Sequence, residues 1–393
     1  MLAELAKFLI GTGISVGLHL YVYRRLVRRM TLPPRWHRVA VAALVVGVVA
    51  ITATTRLRLA LPNVTHITGW IAFPWLAFIG LTAVALVVTD LARLVARTAR
   101  WLLRRATQAA PTSPPSLERR QFLARVTGGT TLLVASTSVA VGMMSARGTH
   151  EIVNVEVTLP KLPRALDGFT IVQLSDLHVG LTIDRAFVQK VVDRANALEP
   201  DLVALTGDLV DGKVPDLRDD FAPLGSLRAK HGVVSVTGNH EYYAGADAWI
   251  TEQRRLGFRV LRNERIAIGN GAASFDLAGV DDQNAFGSGH GEDLGAALAG
   301  RDPSRALVLL AHQPRQVRRA LKHGVDLQLS GHTHGGQIWP WHYLVKLQQG
   351  GLLAGLYRLG DTQLYVTRGC GYWGPPVRLL AALEITRITL RAA

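Results

Sequence analysis

The sequence predicts transmembrane helices followed by a soluble α/β domain, and three observations point to this division. Long apolar runs are confined to about the first 150 of the 393 residues. From residue 151 onward, short runs rich in Val, Leu and Ile alternate with helical patterns. The charge also divides there, because residues 1–150 carry 18 Lys and Arg against three acids, whereas residues 151–393 carry 26 of each sign. A membrane anchor and a separate globular domain are therefore expected.

Four apolar runs in the first part are candidates for membrane-spanning helices. The runs are, in order, Leu2–Tyr23, Val39–Thr55, Ile67–Thr89 and Val126–Ala146. Each approaches the length of about 20 apolar residues that a bilayer requires. A buried soluble bundle is disfavoured, because the runs lack amphipathic periodicity. The expected segments are an anchor of three helices at 1–108, a cytoplasmic linker at 109–125 and a fourth helix at 126–147.

Clusters of arginine between these runs predict the orientation of the chain. The connections after the first and third runs hold six and eight Arg, and the connection after the second holds two. Because Lys and Arg accumulate on the cytoplasmic side, the first and third connections are expected there. The sequence therefore predicts a multi-pass protein of the cell membrane, with everything after Ala146 outside the cytoplasm.

A short motif before the fourth run also bears on export. Ser116-Leu-Glu-Arg-Arg-Gln-Phe-Leu123 resembles a twin-arginine export signal, although Glu118 stands where Ser or Thr is usual. Such a signal implies a passenger that is folded before export. The same arginines also satisfy the positive-inside rule alone, so both interpretations remain open.

The soluble part alternates predicted strands with helical patterns. The predicted strands are Phe169–Leu174, Asp201–Thr206, Gly232–Thr237, Phe275–Val280, Ala306–Leu310, Leu327–Ser330, Gln363–Thr367 and Glu384–Leu390. Apolar residues at helical spacing predict an amphipathic helix over 183–198. This order is typical of a layered α/β domain. Reactive side chains are expected where its strands run out into loops.

Five clusters of metal-ligand residue types follow these strands. They are Ser175-Asp-Leu-His178, Gly207-Asp-Leu-Val-Asp211, Gly238-Asn-His-Glu241, Ala311-His-Gln-Pro314 and Gly331-His-Thr-His-Gly-Gly-Gln337. One such cluster alone would fit a polar turn. Five in succession, each directly after a strand, favour a shared site.

The five clusters together resemble the motifs of the calcineurin-like metallophosphoesterase superfamily. Those motifs are D-x-H, G-D-x-x-D, G-N-H-E/D, an isolated His and G-H-x-H, and they occur here in the same order across 176–334. The S-D-L-H start and the stretch from Arg368 to Arg378 are most similar to a membrane-linked bacterial branch of phosphohydrolases and phosphodiesterases. Ala381-Ala382 departs from that branch, which tends to carry Pro there. The resemblance implies a four-layer α/β/β/α sandwich of two mixed sheets over residues 148–393.

The resemblance also implies two divalent transition metal ions, Mn, Fe or Zn. One metal would be held by Asp176, His178, Asp208 and His334. The other would be held by Asp208, Asn239, His312 and His332. Asp208 would bridge the pair beside a bridging hydroxide. Imidazole, carboxylate and amide donors without a thiolate agree with these metals.

Three further residues near these motifs are given roles by the same resemblance. His240 would protonate the leaving oxygen, a task that suits an imidazole because its ordinary pKa lies near neutral pH. Asp211 and Glu241 would orient the ligands or His240. Ordinary turn or cap roles for these two acids remain an open alternative.

These features predict a phosphomonoesterase or phosphodiesterase that acts on a phosphate ester. The alternatives are a lipid-sugar pyrophosphatase of the UDP-diacylglucosamine type and a catalytically inactive membrane scaffold. Nucleic acid is not expected as a partner, because the excess positive charge is absent from the soluble part.

An aromatic segment after the last motif, Ile338–Val345, allows two interpretations, as does Gly350–Tyr357 after it. The segment either packs in the core under the site or forms an apolar lip of Trp339, Trp341, Tyr343 and Leu344 that faces lipid. The second interpretation would suit phospholipid or lipid-linked phosphate substrates.

Overall fold

The chain folds into two compact units, residues 1–141 and 142–393. The computed structural model describes residues 2–57, 62–108, 116–271, 273–287 and 289–393, with the side chains of 2–8 and 62–64 excepted. The first part of the predicted linker, 109–115, lies outside the described residues.

The first unit is helical. Its helices are α1 (Leu2–Val22), followed by a π-helical turn (Tyr23–Val27), then α2 (Pro34–Leu57), α3 (Pro62–Thr107) and most of α4 (Leu117–Arg147). Among the described residues, Pro34–Leu57, Thr65–Thr107 and Leu117–Arg147 are long and apolar enough to cross a membrane. They contain the second, third and fourth predicted runs. The first run forms α1, whose side chains are described only in part, so its span stays a prediction.

Helices α3 and α4 extend beyond the apolar runs. Arg93–Arg105, predicted to lie in a connection, are on the last turns of α3. The linker predicted for 109–125 is likewise helical from Leu117. Both extensions are rich in Leu and Arg and contain neither Gly nor Pro, so the helical backbone continues where the apolar run ends.

The second unit contains two six-stranded sheets in the described residues. In spatial order, the first sheet is β1 (Glu151–Leu159), β12 (Glu384–Ala392), β2 (Thr170–Leu174), β3 (Leu202–Leu205), β4 (Val233–Ser235) and β5 (Arg259–Val260). The second is β10 (Gly355–Leu359), β11 (Thr362–Val366), β9 (Leu327–Ser330), β8 (Leu307–Leu310), β7 (Ala273–Gly279) and β6 (Glu264–Asn270). In the first sheet, the pairs β2–β3, β3–β4 and β4–β5 are parallel and β2–β12 is antiparallel. In the second sheet, β11–β9, β9–β8 and β8–β7 are parallel, and β10–β11 and β6–β7 are antiparallel. Both sheets are therefore mixed.

Apolar side chains fill the space between the sheets and cover their outer faces. Ile171 and Leu202 of the first sheet pack with Phe275 of the second. The helices of this unit are α5 (Arg185–Asn196), α6 (Val214–Phe221), α7 (Asn239–Ala244), α8 (Ala246–Arg255), α9 (Leu294–Leu298), α10 (Val317–Ala320) and α11 (His342–Gln348). Helices α5, α6 and α8 pack on the first sheet, and α9 and α10 pack on the second. The predicted α/β/β/α sandwich is confirmed.

A buried arginine holds the loop before β12. Arg378 is 1% exposed, and its guanidinium donates to the carbonyl oxygens of Arg368 (2.8 Å), Gly371 (2.5 Å), Ala381 (3.1 Å) and His334 (3.2 Å). Burial lowers the pKa of Arg378 to about 10, which still leaves the side chain charged at neutral pH. This loop has little strand pairing of its own, so the cation supplies its hydrogen bonds.

Replacing this cation is expected to destabilise the second unit. Arg378→Met would leave several buried carbonyls unsatisfied, at a cost of about 3 kcal/mol or more in unfolding free energy. The loss is measured as a shift in the urea midpoint of the full chain in detergent, with the unfolding of residues 142–393 monitored by pulse proteolysis. Arg254→Met on the exposed face of α8 is the matched control. Equal midpoints for the two variants would contradict the role given to Arg378.

Candidate metal centre

The five predicted clusters all follow strands that pair in parallel with at least one neighbour. In the first sheet, Asp176 and His178 follow β2, Asp208 follows β3 and Asn239 opens α7 after β4. In the second sheet, the strands β8 and β9 are followed by His312, His332 and His334. The carboxyl ends of parallel strands share one edge of a sheet. Side chains from both sheets therefore converge at a single place.

One group of potential ligands joins the first and last clusters. The ligand atoms of Asp176, His178 and His334 all lie within 4.8 Å of one another. His178 Nε2 and His334 Nε2 are 3.1 Å apart, and Asp176 Oδ1 is 3.6 Å from the latter. Two imidazole nitrogens this close cannot both carry a proton directed at the other, whereas both can point at one cation.

A second group lies beside the first. It consists of Asp208, His312 and His332, again with ligand atoms within 4.8 Å of one another. His312 Nε2 lies 3.1 Å from Asp208 Oδ2 and 3.2 Å from His332 Nδ1. Asp208 Oδ2 is also 3.7 Å from His178 Nε2 in the first group. Asp208 therefore lies between the two groups.

The backbone at these residues is held in an unusual conformation. Positive φ angles occur at Asp176 (55°), His178 (52°), Asp208 (53°), His332 (71°) and His334 (51°). Residues other than glycine rarely adopt this left-handed region, and such strain clusters at functional sites. Two neighbouring glycines make room for the carboxylates, because a Cβ at Gly238 or at Gly331 would overlap Asp208 or Asp176 respectively.

Acceptors on the far side of the imidazoles fix their orientation. Asp211 Oδ1 lies 2.9 Å from His178 Nδ1 and 2.5 Å from His240 Nδ1. His312 Nδ1 lies 2.8 Å from the carbonyl oxygen of Thr206. A proton on each of these Nδ1 atoms leaves the Nε2 lone pairs of His178 and His312 facing the site.

Glu241 hydrogen-bonds to the backbone on both sides of the site. Its carboxylate accepts from the backbone N–H groups of Asp208 (3.0 Å), Leu209 (2.7 Å) and Gly238 (2.6 Å). Burial and the nearby Asp208 raise the pKa of Glu241 to about 7. Glu241 therefore fixes the two turns that carry Asp208 and Asn239.

The buried charges around Asp208 interact strongly. Burial favours neutral Asp208, but His312, His240 and His178 outweigh it and hold the carboxyl pKa well below its usual range. Burial lowers the pKa of His312, yet Asp208 raises it well above the ordinary value. Burial and the neighbouring His312 lower the pKa of His332 to about 3. An anionic Asp208 and a neutral His332 are the forms that bind a cation.

The donor set fits a divalent metal. The side chain of Asn239 is buried, and its Oδ1 has no hydrogen-bond partner among the described residues, as expected of an oxygen that faces an ion. The other donors are imidazole nitrogens and carboxylate oxygens, a combination that suits Mn, Fe or Zn. The thiol of Cys370 is not in either group of potential ligands, and it donates to the carbonyl oxygen of Ser175 (3.2 Å).

His240 lies at the edge of the site between two aromatic rings. Tyr243 and Trp373 have ring centroids 5.2 and 5.8 Å from its imidazole, both in edge-on geometry. Burial lowers the pKa of His240, but Asp208 and Asp211 raise it to about 9. Neither aromatic residue was predicted to belong to the site, although Tyr243 follows the Gly238–Glu241 motif closely and Trp373 lies in the glycine-rich terminal stretch.

The chain is similar to known proteins over much of its second unit. The family model described as calcineurin-like phosphoesterase matches residues 169–336. The chain is 38% identical over 272 residues to a transmembrane protein with metallophosphoesterase domain of Danio rerio, an alignment that covers 67% of this chain and 62% of that protein. It is 32% identical over 288 residues to the uncharacterized metallophosphoesterase YkuE of Bacillus subtilis, covering 70% of this chain and 98% of the relative. The sulfate thiohydrolase SoxB of Thermus thermophilus is similar in structure with a TM-score of 0.37 at 14% identity, over 57% of each chain. The chain belongs to the calcineurin-like phosphoesterase family.

Proposed function

We propose that the soluble unit hydrolyses phosphate esters with a pair of divalent transition metal ions. The observation that carries the proposal is the position of Asp208 Oδ2, 3.1 Å from His312 Nε2 and 3.7 Å from His178 Nε2. One carboxylate oxygen thus faces ligands from both groups. This is the arrangement expected of a carboxylate shared by two cations.

The proposed ligands divide between the two ions with Asp208 in common. Asp176, His178 and His334 would complete one set, and Asn239, His312 and His332 the other. Two divalent ions against the two carboxylates of Asp176 and Asp208 leave the centre positive, which attracts an anionic phosphate. When bound, such a pair supplies Lewis-acid charge to the phosphate and lowers the pKa of a water molecule.

The protein's own residues would orient the imidazoles and protonate the leaving oxygen. Asp211 holds His178 so that its Nε2 faces the site, and it holds His240 at Nδ1. With that Nδ1 occupied, Nε2 of His240 is the atom that would deliver a proton to the leaving oxygen. Tyr243 and Trp373 flank this imidazole and limit the access of water to it.

Loss of the shared carboxylate tests the metal centre. The full chain is expected to hydrolyse bis(4-nitrophenyl) phosphate only with divalent metal, and to bind about two ions per chain by elemental analysis. Asp208→Asn should reduce turnover to background and lower the metal content, because the amide cannot supply the bridging charge. Asp302→Asn, on an exposed loop, is the matched control. Full turnover and metal content in Asp208→Asn would refute the proposal.

The role of His240 is tested by varying the leaving group. General acid catalysis contributes roughly 10²–10⁴-fold in rate. His240→Asn should lose about that much with an alkyl phosphate ester but much less with a 4-nitrophenyl ester, since nitrophenolate leaves without a proton. Metal content should stay at the wild-type level. An equal loss with both esters would show that His240 has only a structural role.

We also propose that the soluble unit lies outside the cytoplasm. The support is the arginine distribution, with Arg24–Arg38 and Arg93–Arg125 on the cytoplasmic side. Protease added to spheroplasts is expected to cut within 148–393 while a cytoplasmic marker survives. Protection of 148–393 until lysis would reverse the orientation, and it would favour the lipid-sugar pyrophosphatase alternative, which requires a cytoplasmic active site.

A further inference from the structure

Helix α11 displays its apolar side chains on the surface. Trp341, at its start, is 36% exposed, and Tyr343, Leu344 and Leu347 are 64%, 58% and 79% exposed. No residue of α11 is buried in the described structure. The core-packing interpretation of Ile338–Val345 is therefore wrong. In the following segment, Gly350–Tyr357, Leu352 packs against Leu364 and Val366, whereas Leu356 is exposed.

A neighbouring loop extends this exposed surface. Ile338 forms a bridge with Leu379, and Trp339 N–H donates to the carbonyl oxygen of Leu379 (3.1 Å). This places Leu380, which is 84% exposed, next to the half-exposed Trp339. The docking patch is defined here as Trp339, Trp341, Tyr343, Leu344, Leu347 and Leu380.

The same loop contacts the end of α4, within the unit 142–393. Arg378 N–H donates to the carbonyl oxygen of Gly142 (2.9 Å), and Val377 packs where Gly142 has no side chain. Gly142 lies five residues before the end of α4, about 7.5 Å along the helix axis. Helix α4 is apolar enough to cross a bilayer. With α4 spanning a bilayer, a loop that contacts its last turns would lie near the bilayer interface.

The charged residues of the segment that carries α11, and two that contact this segment, are basic. Residues 337–359 contain Lys346 and Arg358 and no acid. Arg315 donates to the carbonyl oxygen of Gln348 at the end of α11 (3.3 Å), and Arg318 lies beside Gly350. Basic residues close to an anionic lipid surface strengthen binding to it. Trp and Tyr are the residues that favour the interface between lipid and water.

We propose that the docking patch lies in the interfacial layer of an anionic lipid bilayer. The apolar side chains would enter the boundary between headgroups and acyl chains, with the basic side chains at the phosphates. Trp373 connects this surface with the candidate site, because its backbone N–H donates to Gln337 Oε1 (2.9 Å) and its ring faces His240. If the proposed function holds, docking brings lipid phosphates to the entrance of the site.

Fluorescence quenching in vesicles tests the docking. A polarity-sensitive fluorophore is attached to Leu344→Cys or Leu347→Cys in the full chain, where the native Cys370 is buried. Lys161→Cys is the control, since residue 161 is exposed and lies between β1 and β2, at the opposite end of the strands from the metal ligands. The vesicles contain phosphatidylcholine with or without phosphatidylglycerol, and a headgroup nitroxide lipid as quencher.

The labels at 344 and 347 are expected to be quenched at least about twofold more strongly than the label at 161. The difference should grow with phosphatidylglycerol and shrink in high salt. Quenching equal to that at 161 would overturn the proposal. So would a disulfide-linked dimer through Leu344→Cys without lipid quenching, which would assign the patch to a second copy. The measurement is repeated in Asp208→Asn, so that docking is judged independently of catalysis.

Discussion

The buried carboxylate of Asp208 is the group on which the site depends. It comes from the first sheet, yet one of its oxygens lies 3.1 Å from His312 Nε2, which comes from the second sheet. Its other oxygen accepts the backbone N–H of His240 (2.8 Å). A buried charge is stable only when it is paired. Both sheets must therefore meet at this edge with their imidazoles in place, and the packing between the sheets serves that alignment.

The loops around Asp208 are held by buried side chains more than by regular structure. Glu241 binds three backbone N–H groups, and Arg378 binds carbonyls from several turns. Glu241 accepts and Arg378 donates, so the two side chains stabilise opposite kinds of backbone group. Strained left-handed residues persist only where the surroundings over-determine them. These two buried side chains supply part of that constraint.

The site was largely predictable from the sequence, because its signal is local. Each proposed ligand follows an apolar strand within a few positions, and the eight predicted strands are all present with small shifts at their ends. The helix predicted for 183–198 begins at Arg185, since Asp184 caps it by accepting from the N–H of Phe187 (2.9 Å). Assembly of the two ligand groups then follows from parallel pairing.

The features that could not be predicted from the sequence, the edge strands and the exposure of α11, depend on tertiary context. Strands β1, β5, β6 and β10 were not predicted; all lie at the edges of their sheets, where a half-exposed or very short strand has a weak apolar pattern. The exposure of α11 was also hidden, because hydropathy is the same for a side chain that faces a core and one that faces a membrane. The structural role of Arg378 has only a weak signal in the sequence, a lone charge between the apolar Val377 and Leu379.

The glycines beside the two carboxylates have a consequence for variation at this site. Gly238 and Gly331 have no side-chain donor, acceptor or charge, yet even a methyl group at either position would occupy the space of Asp208 or Asp176. A histidine ligand has other nitrogen or oxygen donors as chemical substitutes, whereas glycine has none. The least replaceable positions at the candidate site thus include ones whose side chain brings no reactive atom.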